Sequence, residues 1–255
     1  MRILIINPNS DRRMTEVIQR SAEDYACAEF EVVCKPTPGA PLFIETYADM
    51  LQAAPGMIQL LKEDEDQFDA FVVACHCDPN LEAMKEITAK PVVGIGEASM
   101  KLASMLGHRF SVVSTMKHSI PNKEAQVRRL HLEGALASVR VPPEEMAGAS
   151  DEEKYLRAAQ LALEEDMAEV IVLGCAGMSG LDKRLSAKLG APVLDGVTCA
   201  LILATGLARY GVSTSKVRRY NPDYSCGQTR YGRSQGIPMR LRPHTGPASS
   251  VAPSL

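Results

Sequence analysis

Two cysteines, Cys75 and Cys175, each follow an apolar segment, residues 68–74 and 168–174, and the two segments have matching character. The pKa of a free thiol is about 8.5, and backbone N–H groups or a helix N-terminus can lower it, so a thiolate can act as a base and a thiol as an acid. If the segments belong to duplicated half-domains that face each other, one thiol lies on each side of a bound carbon atom. Such a pair could remove a proton from one face of that carbon and return a proton to the other, and no cofactor is expected.

Further segments repeat at a similar distance along the chain. Residues 2–8 resemble residues 109–115, and the Pro-led segment 91–97 resembles 192–198. A near-constant offset over three elements indicates a duplication. Two simpler explanations remain open: any α/β protein offers strands at similar intervals, and a free cysteine is commonly a small buried core residue. The matched positions of the two cysteines in the repeat favour the chemical explanation.

The segments that position these cysteines alternate between short β-branched runs and longer helical patterns, which is typical of a mainly parallel α/β sheet. The predicted strands are residues 2–6, 30–34, 70–74, 92–95, 109–114, 137–141, 169–174 and 193–194. The predicted helices are residues 11–26, 46–66, 80–87, 97–106, 120–132, 151–166, 180–188 and 196–210. Together with the repeat, this order predicts an α/β fold of two pseudo-symmetric three-layer halves with mainly parallel sheets and an active site in the cleft between them.

The ligand site of a parallel sheet lies beyond the C-terminal ends of its strands. Four predicted strands end there in small or polar residues. The candidate site residues are Asn9, Cys75, His76, Cys77, Ser114, Thr115, Cys175, Ala176 and Gly177. Cys75 and Cys175 are the candidate catalytic pair, and the others are predicted to bind substrate. Backbone N–H groups after Cys175 could stabilise the enolate that forms when a proton next to a carbonyl is removed.

The run from Cys75 to Cys77 allows more than one interpretation. Cys77 falls opposite Gly177 in the repeat, so Cys75 is predicted to be the base and Cys77 a neighbour that shapes the pocket. The three residues could also bind a metal ion, but zinc sites normally separate paired ligands by two or more residues and no second pair is apparent. No metal is therefore expected, and His76 is predicted to be structural or to line the pocket.

Composition narrows the class of protein. With 45% hydrophobic and 23% charged residues, most of the 255-residue chain should fold. A net charge of −3 and few aromatic residues argue against nucleic-acid binding, and no apolar run is long enough to span a membrane. Seven irregularly spaced cysteines and no secretory signal predict reduced thiols in the cytoplasm. Gly94 and Gly96 do not complete a dinucleotide-binding fingerprint, so a nicotinamide cofactor is not expected. A Gly-x-Ser-x-Gly nucleophile turn is absent, which argues against a serine hydrolase.

The repeat also predicts the domain organisation. The first half is predicted to comprise residues 1–96 together with 196–215, whose helix would pack back on it, and the second half residues 97–195. Residues 216–255 contain seven Lys or Arg, one acidic residue and many Gly, Pro and Ser. Because this composition cannot bury much apolar surface, a flexible or partner-dependent basic tail is predicted.

Four segments, in order along the chain, resemble motifs of the aspartate/glutamate/hydantoin racemase superfamily, and within it the hydantoin and allantoin racemases. These segments are residues 4–10, 74–81, 92–98 and 173–178. The resemblance covers about residues 1–212 and implies a cofactor-independent two-base mechanism with Cys75 and Cys175 in two pseudo-symmetric halves. It also implies a homo-oligomer. The chain departs from the family at His76-Cys77, where members commonly have Phe-Gly.

The resemblance and the polarity of the predicted pocket together indicate a substrate. No Lys or Arg lies in the four strand-end loops except Lys117, and Ala176 and Gly177 leave mainly backbone donors. A neutral cyclic ureide needs such donors and acceptors rather than a salt bridge. We therefore predict a racemase that inverts the C5 centre of a 5-substituted hydantoin or allantoin. The alternatives are another reaction on the same scaffold (amino-acid racemisation, cis–trans isomerisation or decarboxylation) and a small-molecule binding protein without turnover.

Overall fold

The computed structural model describes residues 1–222, and eight strands and eight α-helices lie within them. The strands are β1 (Arg2–Asn7), β2 (Glu31–Pro36), β3 (Ala70–Val73), β4 (Val92–Gly94), β5 (Phe110–Val113), β6 (Leu136–Arg140), β7 (Val170–Leu173) and β8 (Val193–Leu194). The helices are α1 (Arg12–Ala26), α2 (Tyr47–Asp64), α3 (Leu81–Ile87), α4 (Ile95–Leu106), α5 (Ile120–Arg129), α6 (Asp151–Glu165), α7 (Asp182–Leu189) and α8 (Gly196–Tyr210). None of these helices has the length and apolar composition needed to cross a membrane.

Every predicted strand and helix is present, and the ends differ from the prediction by at most three residues. The largest difference is at the end of α5, which was predicted to continue to residue 132 but stops at Arg129. His131 there has a φ of 59°, which is incompatible with a continuing right-handed helix. The predicted basic tail, 216–255, lies outside the described residues from position 223 onward.

The strands form two four-stranded sheets with the same order, β2-β1-β3-β4 and β6-β5-β7-β8. In the first sheet Ile3 pairs with Ala70, and in the second Phe110 pairs with Val170. Because every pairing is parallel, the C-terminal ends of the strands in each sheet lie at one edge. The predicted α/β class with parallel sheets in two like halves is confirmed.

Helices α4 and α8 connect the two sheets. Leu201 of α8 is buried in one core cluster with Ile3 of the first sheet, although α8 follows the second sheet in the chain. Met100 of α4 is buried with Phe110 of the second sheet, although α4 follows the first. The predicted division of the chain, with α8 in the first half and α4 in the second, stays a prediction.

A carboxylate ties each cysteine-bearing loop to the start of one of these helices. After β3, the Asp78 side chain accepts hydrogen bonds from the N–H groups of Gly96 and Glu97, at 2.9 and 2.7 Å, at the start of α4. After β7, the N–H of Gly180 donates to Asp195, the N-cap of α8, at 3.0 Å. Both loops are thereby held against a helix N-terminus, where a carboxylate is favourable.

Gly94 and Gly96 leave room for the first of these contacts. A Cβ added to Gly94 would lie 2.2 Å from Asp78 Oδ1, and one added to Gly96 would lie 2.3 Å from the carbonyl oxygen of His76. The second contact involves backbone, which cannot move aside as a flexible side chain can. The two glycines therefore serve the packing of the Cys75 loop on α4.

Replacing Gly96 by Ala is expected to lower the free energy of unfolding by about 1–3 kcal/mol, because the new methyl group overlaps the loop that carries Cys75. Gly206→Ala is the matched control: Gly206 lies in α8, and an added Cβ there has nothing within 4 Å. Alanine at 206 should leave stability unchanged or raise it by up to about 1 kcal/mol. Urea unfolding followed by circular dichroism measures both variants, and equal stability of the two would contradict this explanation.

Candidate active site

The C-terminal ends of β1, β3, β5 and β7 surround one cavity of about 340 Å³. The sequence-predicted residues that line it are Asn9, Cys75, His76, Cys77, Ser114, Thr115, Cys175 and Ala176. The remaining predicted residue, Gly177, does not line the cavity, but its N–H donates to Cys175 Sγ at 3.4 Å. Both candidate thiols are partly accessible and border this one space, which is large enough for a small ring.

Cys75 and Cys77 form a close thiol pair, with their Sγ atoms 3.3 Å apart. The hydrogen bond from the Cys77 thiol lowers the pKa of Cys75, and burial raises it. The backbone N–H groups of Cys77 and His76 and the charge on Lys123 lower the pKa of Cys75 further. The same contact with Cys75, together with burial, raises the pKa of Cys77 well above its ordinary value. Cys75 is therefore the thiolate of the pair, and Cys77 is its hydrogen-bond donor.

Cys175 has the opposite protonation preference. Burial raises the pKa of its thiol, the N–H of Gly177 lowers it, and the negative charge on Cys75 raises it further. The two sulfur atoms are thus within electrostatic reach of each other. At neutral pH this arrangement favours a thiolate at Cys75 and a thiol at Cys175, which provides a base and an acid on the same cavity.

Neutral polar groups from the other two strand ends complete the floor of the cavity. The Asn9 side-chain oxygen accepts from Asn7 and from the Asp11 N–H. In the described part of the chain, its amide nitrogen contacts only the weak acceptor Met14 Sδ, at 3.1 Å. That N–H remains a donor for a bound molecule. Ser114 Oγ lies 2.7 Å from Ser119 Oγ.

Two further residues of this loop, Thr115 and Ser119, differ from Ser114 in exposure or bonding. Thr115 is exposed and also lines the cavity. The Ser119 hydroxyl donates to the carbonyl oxygen of Met116, so the Ser114 hydroxyl donates to Ser119 and keeps its lone pairs for an N–H of the ligand.

His76 lines the cavity, but its ring is bonded to the protein. Nδ1 lies 2.8 Å from Lys123 Nζ, and Nε2 lies 3.3 Å from Ser99 Oγ. An ammonium group can only donate, so Nδ1 is the acceptor and Nε2 carries the hydrogen. Burial and the neighbouring Lys123 charge lower the pKa of His76 well below its ordinary value. The imidazole is therefore neutral and serves to position its neighbours.

Lys123 also borders the cavity, although the strand-end pattern does not predict it. The sequence singled out Lys117 as the cation of these loops, but Lys117 is exposed and pairs with Glu144. Lys123, in the first turns of α5, is 5% exposed and lines the cavity. The expectation of a pocket without a cation is therefore wrong. Lys123, Gln126 and Val127 are all buried, a helical spacing that could have identified the inward face of α5.

An apolar wall closes one side of the cavity and was also absent from the prediction. Its large side chains are Phe43, Ile44, Met50 and Met116. Phe43 lines the cavity and is 55% exposed. At the same edge the Tyr47 hydroxyl donates to Asn122 Oδ1 at 3.1 Å, linking α2 to α5. The segment between β2 and α2 has no periodic pattern, so the sequence could not place it over the site.

Comparisons with known proteins agree with this architecture. Residues 3–204 match the model of the Asp/Glu/Hydantoin racemase family. The chain is 37% identical to a hydantoin racemase from Pseudomonas sp. (strain NS671), over 92% of this chain and 98% of that protein. It is 38% identical to a hydantoin racemase from Rhizobium meliloti, over 86% of this chain and 94% of that protein. The crystal structure of allantoin racemase from Pseudomonas fluorescens superposes with a TM-score of 0.80 at 37% identity, covering 86% of this chain and 96% of that one.

Replacing Cys77 by Ala is expected to raise the pKa of Cys75, because the donor that stabilises its thiolate is removed. Thiolate formation, and with it alkylation of Cys75 by iodoacetamide, should then shift to higher pH by about one pH unit. Cys77→Ser keeps a hydroxyl donor and should keep most of the wild-type profile. Peptide mass spectrometry of protein alkylated across a pH series reports the Cys75 rate. Superimposable profiles for the wild type and the Ala variant would show that the Cys77 contact does not set the ionisation of Cys75.

Proposed function

Because the chain belongs to the Asp/Glu/Hydantoin racemase family and is a racemase of that family, we propose that it inverts the C5 centre of a hydantoin-like cyclic ureide with Cys75 and Cys175 as its two bases. The observation that carries this proposal is the cavity itself: two thiols border it, and their surroundings perturb their pKa values in opposite directions. Both the hydantoin and the allantoin racemases among the relatives act on such rings, as their names state.

The proposed reaction begins with a thiolate at Cys75. It takes the proton from C5, so that the C5–H bond breaks, an S–H bond forms, and the electron pair moves into the adjacent carbonyl as an enolate. The Cys175 thiol then gives its proton to the opposite face of C5, and Cys175 becomes the thiolate. The opposite enantiomer reacts by the reverse sequence. Neither step consumes an oxidant or a reductant, and the enolate is stabilised by donors fixed around the ring.

The polar groups of the cavity suit a cyclic ureide. Such a ring presents alternating C=O acceptors and N–H donors and carries no charge. The free amide N–H of Asn9 can donate to a ring oxygen, and Ser114 Oγ can accept a ring N–H. These neutral contacts suit a ureide, whereas the buried ammonium group of Lys123 on the same cavity would favour a carboxylate. The choice of a ureide therefore rests on the contacts of Asn9 and Ser114 and on the relatives.

The apolar wall suggests the nature of the C5 substituent. Phe43, Ile44, Met50 and Met116 would contact a group that projects from the ring, and methionine side chains adapt to different shapes. This favours a 5-substituted hydantoin with an apolar group over allantoin, whose substituent is a polar ureido group. Amino-acid racemisation on the same scaffold is the competing reaction, and a panel of both substrate types distinguishes them.

Racemisation of one enantiomer of 5-benzylhydantoin, followed by chiral chromatography against a protein-free blank, tests the proposal. Cys75→Ser and Cys175→Ser should each slow it by about a hundred- to ten-thousand-fold, because a hydroxyl is a far weaker acid and base than a thiol. Cys27→Ser is the control and should retain activity, since Cys27 is exposed at the end of α1 and does not line the cavity.

Two results would contradict the proposal. Full activity in either active-site variant would show that its thiol is not a base. Racemisation of aspartate or glutamate without any turnover of hydantoins or allantoin would place the enzyme with the amino-acid racemases instead.

A further inference from the structure

Lys123 presents a charge that the fold does not neutralise. Its side chain is buried, and among residues 1–222 its ammonium group forms no ion pair with a carboxylate. Its hydrogen bond goes to His76 Nδ1 at 2.8 Å, and the imidazole is neutral. Burial of an ammonium group is unfavourable unless an anion is near. The open side of Lys123 is the cavity that holds both cysteines.

The nearby carboxylates are engaged elsewhere. Asp78 accepts hydrogen bonds from the start of α4 and from Gln126, and burial, reinforced by the charge on Glu97, raises its pKa to about 7. Glu97 pairs with Lys85 at 2.6 Å. Glu45 and His118, which also line the cavity, are exposed to solvent. The charge on Lys123 also lowers the pKa of Asp78, but Asp78 does not line the cavity. Both cysteines do, so their thiolate is the anion that faces the ammonium group across the cavity.

The position of Lys123 is fixed by a chain of hydrogen bonds. His76 Nε2 lies 3.3 Å from Ser99 Oγ, and the Ser99 hydroxyl donates to the carbonyl oxygen of Ile95 at 2.7 Å within α4. The imidazole is thus held from one side by α4 and holds the ammonium group from the other. This arrangement keeps Lys123 at the cavity wall instead of allowing it to reach solvent.

We propose that Lys123 is a positioning residue whose ammonium group, oriented by His76, is the fixed counter-ion of the single thiolate that Cys75 and Cys175 exchange during the reaction. The proposal rests on the two-cysteine reaction proposed above and adds a group that serves both directions of it. In support, the charge on Lys123 lowers the pKa of both cysteines. Because the negative charge moves from one sulfur to the other, a cation that stabilises the thiolate at both positions keeps the rates of the two reaction directions similar.

Lys123→Met tests the counter-ion in substrate-free protein. Alkylation of Cys75 by iodoacetamide at neutral pH should slow by about three- to tenfold, and the midpoints of the alkylation profiles of Cys75 and Cys175 should both move to higher pH. Lys123→Arg keeps the charge and should restore most of the wild-type profile. The matched control is Lys117→Met, since Lys117 belongs to the turn preceding α5 but pairs with Glu144 on the surface. It should leave both profiles unchanged.

Racemisation provides the second readout. Lys123→Met should lower kcat/KM for the two enantiomers by similar factors and move the acid side of the pH–rate profile to higher pH, so that activity partly recovers in alkaline buffer. A role in stability alone would lower the amount of folded enzyme without moving the profile. Thermal unfolding identifies a variant that does not fold, and Lys123→Gln, which keeps a donor to His76 without the charge, then carries the same predictions.

Unchanged alkylation midpoints in folded Lys123→Met or Lys123→Gln would overturn the counter-ion proposal. A shift in only one of the two cysteines would also overturn it, because the ammonium group would then not serve both. If Lys123→Met shows the shift in alkylation but the wild-type enzyme does not racemise hydantoins or allantoin, the proposed substrate is wrong and the counter-ion role is supported.

Discussion

The close crossing of α4 and α8 is the constraint on which the site depends. A Cβ on Gly196 would lie 3.1 Å from the carbonyl oxygen of Ile95, so the glycine lets the starts of the two helices approach closely. Because α4 packs on the second sheet and α8 on the first, this crossing fixes the two strand edges relative to each other. Cys75 and Cys175 stand at those edges. Helix packing, and not any contact between the thiols, therefore places them on one cavity.

The two halves are alike in backbone and different in electrostatics. Burial disfavours the thiolate at both sulfurs, so the hydrogen-bond donors decide which one ionises first. Among residues 1–222, Cys75 has the thiol of Cys77 as well as backbone donors, whereas Cys175 has only the N–H of Gly177. The two like halves thus provide two equivalent positions. In the proposed mechanism, a single local difference makes Cys75 the base and Cys175 the acid of the resting enzyme.

The sequence predicted what short-range patterns encode. All eight strands, all eight helices and the gathering of strand-end residues followed from periodicity and from the rule that parallel strands end at one edge. Lys123 was missed because it reaches the cavity from the inward face of α5, not from a strand end. Phe43 and its neighbours were missed because an irregular segment gives no local signal of the surface it covers. The donor role of Cys77 depends on an Sγ–Sγ separation that spacing alone cannot supply.

The most direct test of proton transfer on two faces is the position of deuterium early in a reaction in heavy water that starts from one enantiomer of 5-benzylhydantoin. Deuterium should appear at C5 of the newly formed enantiomer, because the proton delivered comes from a solvent-exchanged thiol on the opposite face. The recovered starting enantiomer should still carry hydrogen, because the proton removed stays on the first sulfur. Equal deuterium in both enantiomers at low conversion would indicate one base serving both faces and would contradict the account.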